Sequence, residues 1–161
     1  MLAGDYEPAQ EHLLLAYDQC LSDGSPAFAA VVAGMRARVL CALGRYPEAE
    51  QLANDGCDLS HQSDAIAQAG WRQALALVHV ERGDLDEAKR LAHEAVVFAQ
   101  KTDAPAFHGD AFYDLAEVLA AANDSVAAVA ALNDALECYE RKGIIPLARR
   151  VRERLEALDA V

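Results

Sequence analysis

Several familiar signatures are missing from this sequence, and each absence removes a class of function. The four cysteines, Cys20, Cys41, Cys57 and Cys138, stand at least 16 residues apart, so there is neither a CxxC metal pair nor a dense disulfide framework. They read as small apolar residues in a reducing compartment. No apolar run reaches the roughly 18–20 uncharged residues that a membrane span requires. The opening stretch "MLAGDYEPAQ" has neither the basic flank nor the apolar core of a secretory leader, so a soluble, cytoplasmic chain is expected. Basic charge is also scarce, with 14 Lys and Arg against 26 Asp and Glu, formally −12. Such a surface repels phosphate backbones, which argues against nucleic acid as a partner. Six of the basic groups (Arg141, Lys142, Arg149, Arg150, Arg152 and Arg154) fall near the C-terminus and read as a solvated helix face.

Catalytic motifs are missing too. Neither GxxxxGK[ST], GxGxxG nor GxSxG occurs, which leaves phosphate cradles and nucleophile elbows without support. His12, His61, His79, His93 and His108 form no HExxH, because His93-Glu94 is followed by Val96 and Val97. His79 and Glu81, two residues apart, point in different directions on a helix. Asp84, Asp86 and Glu87 are explained by the helix dipole, which favours acids in a first turn. The expectation is a non-enzymatic chain without cofactor or metal.

What is present is repetition. "GDYEPAQEHL" begins at Gly4, "GRYPEAEQLA" at Gly44, "GDLDEAKRLA" at Gly83 and the weaker "NDSVAAVAAL" at Asn123, spaced 40, 39 and 40 residues apart. A fixed period in this range marks a repeat array. Gly, or Asn in the last copy, suits the left-handed backbone that follows a helix C-terminus. Two residues on stands an anchor, Tyr6, Tyr46 or Leu85, with Ser125 the exception. Three further on comes a small residue, Ala9, Ala49, Ala88 or Ala128, whose methyl lets a neighbouring helix approach closely.

Between copies the apolar spacing is helical, as in Phe107, Ala111, Leu115, Val118 and Leu119. Ser25 is a plausible N-cap before Pro26, and Thr102 or Asp103 before Pro105. Trp71 is expected to open a helix and pack in the core beside Ala67 and Leu75. The pattern predicts helices at about 6–21, 26–43, 46–60, 64–82, 85–101, 105–122, 125–142 and 145–158, and no strand. The last carries an apolar stripe of Leu147, Val151, Leu155 and Leu158.

The Gly-x-[Tyr/Leu]-x-x-Ala turn, the Leu13/Ala16 and Leu132/Ala135 pairs, and above all "FYDLAEVLAAANDSVAAVAALNDALECYERKG" resemble the tetratricopeptide-repeat family. The resemblance implies an all-α fold, a right-handed superhelix of antiparallel helix pairs with a C-terminal capping helix. It divides the chain into a half repeat at 1–24, repeats at about 25–62, 63–102 and 103–142, and a cap at 145–158. The departure is the period, since the common repeat has about 34 residues. The C-terminal texture also resembles the repeat tails of large bacterial cyclase/ATPase-type signalling or transcription-regulatory proteins. The first repeat lacks its first helix, which would expose Leu13, Leu14 and Tyr17. The preferred reading is the tail of a longer polypeptide, with upstream domains covering that face; the rival is a homodimer.

By the same resemblance, the first helix of each pair lines a concave surface. The candidate groove residues are Arg38 and Cys41, then Gln73, Leu77 and Val80, then Asp110, Tyr113 and Glu117. Family members that clamp a peptide carboxylate use a Lys/Asn set. Gly34 and Arg38 stand at two clamp positions, but Gln73, Leu77, Tyr113 and Glu117 do not supply the rest. The surface instead suits an amphipathic or basic segment of a protein or peptide. Two functions stay open: an interaction scaffold with a shallow groove, and a ligand- or peptide-sensing domain with a pocket of roughly 300–1,000 Å³ and convergent polar groups.

Overall fold

Alanine and leucine at three- and four-residue spacing, broken by glycine or asparagine at fixed intervals, give one helix after another. The computed structural model describes residues 6–159. Its helices are α1 (Tyr6–Ser22), α2 (Pro26–Ala42), α3 (Tyr46–Leu59), α4 (Ala65–Arg82), α5 (Leu85–Ala99), α6 (Pro105–Ala121), α7 (Ser125–Lys142) and α8 (Ile145–Asp159). Among the described residues there is no strand, and each helix ends within two residues of its expected limit.

The repeated turn has one physical basis. Gly44, Gly83 and Asn123 adopt φ of +73°, +77° and +59°. Just beyond each, the N–H of Arg45, Asp84 and Asp124 donates to the carbonyl five residues back, on Leu40, His79 and Leu119. This bond satisfies a carbonyl at the end of the preceding helix and reverses the chain. The copy at Gly4 lies outside the described residues.

Helix starts follow the expectation less closely. Ser25 stands at the N-cap of α2, but its side chain makes no capping hydrogen bond. The N-cap of α6 is Ala104, not Thr102 or Asp103. The Thr102 hydroxyl donates back to the Ala99 carbonyl at 2.7 Å, so it finishes α5 instead of starting α6. Side-chain caps occur instead at Asp64 and Asp124, which accept from the N–H groups of Ala67 and Ala127. Trp71 does not open a helix: α4 begins at Ala65, and the half-buried indole packs against both core clusters.

Neighbouring helices pair as α2–α3, α4–α5 and α6–α7; α2 also packs on α4, α4 on α6, and α8 on α7. The turn alanines Ala49, Ala88 and Ala128 are fully buried, which places helix against helix with only a methyl between them. The closest approach is at Gly34 of α2, where a Cβ would lie 2.8 Å from the carbonyl carbon of Gly70 in α4. α1 packs on α2, leaving Leu13, Leu14 and Tyr17 half-buried, with Tyr17 against the α2–α3 core. The larger exposures on α1 fall instead on Leu15 and Leu21.

The α2–α4 contact generates a paired prediction. Gly34→Ala should lower the free energy of unfolding in urea by about 1–3 kcal/mol, because backbone cannot yield to the new methyl. Gly70→Ala meets Gly34 at an ordinary 3.5 Å. It should change stability by less than about 1 kcal/mol, since helix propensity favours alanine. Equal losses in the two variants would contradict this geometry.

Candidate functional site

The inward faces of α2, α4 and α6 carry polar residues between apolar ones, and the space between them is a cavity of about 500 Å³. α2 contributes Arg38 and Cys41, α4 contributes Leu77 and Val80, and α6 contributes Asp110, Tyr113, Asp114 and Glu117. α8 closes one side with Leu147, Arg150, Arg154 and Leu158; Tyr6, Tyr46 and Tyr139 also line it, as do Ala120 and Ala121 of α6.

The floor is a charged network that crosses four helices. Arg38 Nε donates to Asp114 Oδ2 at 2.6 Å, and Gln73 Nε2 donates to the same oxygen at 3.0 Å. Arg38 Nη1 lies 3.6 Å from Asp110 Oδ2, while the Tyr139 hydroxyl donates to Asp110 Oδ1 at 2.6 Å. Asp110 and Asp114 are four residues apart on one face of α6, so two carboxylates share a single guanidinium. Burial works against the Arg38 cation, but the charges of Asp114 and Asp110 hold it firmly protonated. Burial pushes the Asp114 carboxyl above its ordinary value, against the pull of Arg38. It likewise raises the Tyr139 phenol, helped by the adjacent Asp110 charge. The Cys41 thiol, pushed up to about 12 by burial, stays protonated and faces the Ala74 carbonyl at 3.7 Å.

The rim is made where α8 meets α6. Arg150 lies over the Tyr113 ring, 4.5 Å from its centroid, and its Nε donates to the Tyr113 hydroxyl at 3.2 Å. Arg154 grips both oxygens of Glu117 at 2.7 and 3.2 Å. Among the described residues Arg150 has no carboxylate within ion-pair distance.

Seven of the eight candidate groove residues line the cavity; Gln73 lies behind its floor, 1% exposed, holding Asp114. Reasoning from the sequence missed Asp114, Tyr139, Arg150 and Arg154. Asp114 had a signal, a second acid one turn after Asp110 on the inward face of a helix. Arg150 and Arg154 had one as well, since Leu147, Arg150, Arg154 and Leu158 share a face. Arg150 is exposed, as a solvated helix face implies, and Arg154 is half-buried; both also reach side chains of α6. Among the described residues, no group of His, Cys, Asp and Glu is arranged to hold a metal ion.

A sequence model of the tetratricopeptide repeat matches residues 69–102, and a second model of the same repeat matches 30–55 and 110–134. Together they span just over half of the chain. It is a tetratricopeptide-like repeat array. No curated protein matches the chain. Among solved structures, the crystal structure of BtubC (BKLC) from P. vanneervenii is similar, with a TM-score of 0.53 and 20% identity over 94% of the tetratricopeptide-like chain. The match spans 58% of that longer chain, and at this identity it speaks for the helical-repeat fold alone. Tetratricopeptide repeats are typically non-enzymatic and generally mediate protein–protein interaction. No described helix of the array is long and apolar enough to cross a membrane.

The floor network predicts a pH-dependent lesion. Arg38→Met should cost about 3–5 kcal/mol at neutral pH, because it leaves the buried Asp114 carboxylate without its counter-charge. Without Arg38 the Asp114 carboxyl rises further, so its proton binds more tightly to the folded than to the unfolded chain. Stability linked to that proton is present at low pH and lost as pH rises through the folded value. The gap between wild type and variant, measured by urea unfolding, should therefore narrow as pH falls toward the ordinary carboxylate range. A gap that widens on acidification would contradict the network.

Proposed function

We propose that the array is a non-catalytic recognition module that takes a short peptide segment of a protein partner into the cavity between α2, α4, α6 and α8. The supporting observation is the cavity itself. A docked helix calls for a long shallow groove, whereas about 500 Å³ with charged and hydroxyl groups converging on apolar walls suits a few side chains. Apolar contact with Leu77, Val80 and Leu147 then supplies the driving force, and the polar groups select among segments.

The same observation favours the sensing version of this reading over a passive scaffold. Walls from four helices meet around one volume, so an occupant contacts the array and its terminal helix together. In the setting the C-terminal texture suggests, a cytoplasmic bacterial signalling protein, the module serves as a regulatory region whose occupancy is passed to an attached effector.

Selecting short random peptides displayed on phage against the purified chain tests the cavity directly. Affinities of the recovered peptides, measured by fluorescence anisotropy, should fall at least about tenfold in Ala120→Trp, whose indole fills the space that the ligand needs. Circular dichroism checks that the variant remains folded. Undiminished binding by a folded Ala120→Trp would remove the cavity as the site.

A further inference from the structure

The floor of the cavity is short of hydrogen-bond donors. Asp114 is 7% exposed, and both of its bonds, from Arg38 and Gln73, fall on Oδ2. Its Oδ1 has no partner among the described residues. Directly behind it, the Oε1 of Gln73 is buried and likewise unpartnered. Asp110 Oδ2 has only the Arg38 nitrogen at 3.6 Å, beyond hydrogen-bond length. A carboxylate can accept about four hydrogen bonds, so both aspartates keep spare capacity facing the cavity. Two carboxylates share one guanidinium at the floor, and Arg150 at the rim is the next cation acting on Asp114.

We propose that this floor is the seat of one lysine or arginine side chain of the docked segment, whose N–H groups fill Asp114 Oδ1 and Asp110 Oδ2. The inference rests on the peptide-docking reading and specifies its anchor. The cavity walls cover the aliphatic stem of such a side chain: Leu77 and Val80 on one side, Ala120 and Ala121 on another. An acidic anchor is excluded from the floor by the pair of aspartates. The rim has the opposite preference. Arg150, stacked on Tyr113 and without a carboxylate of its own, repels a second basic residue and accepts an acidic one. The expected segment therefore combines a basic anchor with apolar and acidic neighbours. A formal net charge of −12 also speeds the approach of a basic segment.

The peptides selected on phage provide the probe. Those that lose affinity in Ala120→Trp occupy the cavity, and this class should be enriched in Lys or Arg. Replacing that residue by norleucine in a synthetic copy should weaken binding to the unaltered protein by about tenfold or more. Asp110→Asn, which keeps the shape of the side chain and an oxygen for Tyr139, should give a similar loss. It should leave the norleucine peptide unaffected. Cavity-dependent peptides that lack a basic residue, or that ignore both changes, would overturn the basic anchor while leaving the docking reading intact. If no recovered peptide depends on Ala120, the docking reading fails and the anchor fails with it.

Discussion

The helices of this array can form a common interior because the residues between them are small. At Gly34 and Gly70 the backbones of α2 and α4 touch, and the buried alanines of the repeated turns do the same work at wider spacing. This closeness sets everything on the inner side. Were α2 and α4 separated by leucine-sized side chains, Arg38 and Gln73 could not both reach Asp114 on α6. A close approach at two glycines thus helps set the geometry of a network of charges, an amide and a phenol.

That network is costly to bury and is only partly self-satisfied. Arg38 offsets one of two carboxylates, and Tyr139 and Gln73 lend single hydrogen bonds. Gly109 is part of the same arrangement: a Cβ there would lie 2.7 Å from the Tyr139 ring, the ring whose hydroxyl holds Asp110. A purely structural interior at this position would be better served by apolar residues. Charges at the meeting point of four helices, open to a cavity, are the feature on which the proposed peptide docking rests.

Most of the fold was legible in the sequence because its signals are local. Left-handed residues at Gly44, Gly83 and Asn123, apolar spacing and prolines at helix starts all act within a few residues, and the helix limits followed from them. The caps at 102–104 were misjudged because Thr102 has two local partners to choose from, and only the fold shows that it bonds backwards. The inner surface was half legible. The helix faces could be placed by the resemblance, which brought Arg38, Leu77, Asp110 and Tyr113 to one volume. Asp114 was not read because the apolar stripe of α6 was counted by its hydrophobic members alone. Arg150 and Arg154 were not read because the direction in which α8 folds back depends on packing distant in sequence.

The two sides of the cavity are held by different contacts. In one, α2, α4, α6 and α7 are cross-braced by hydrogen bonds from Arg38, Gln73 and Tyr139. The other is α8, which packs on α7 and reaches α6 by arginines lying at the solvent edge. α8 is also seated in the core through Ala148 and Val151, so both sides share one apolar interior. The cavity thus lies between a side tied by hydrogen bonds across helices and a side tied by apolar packing and surface arginines.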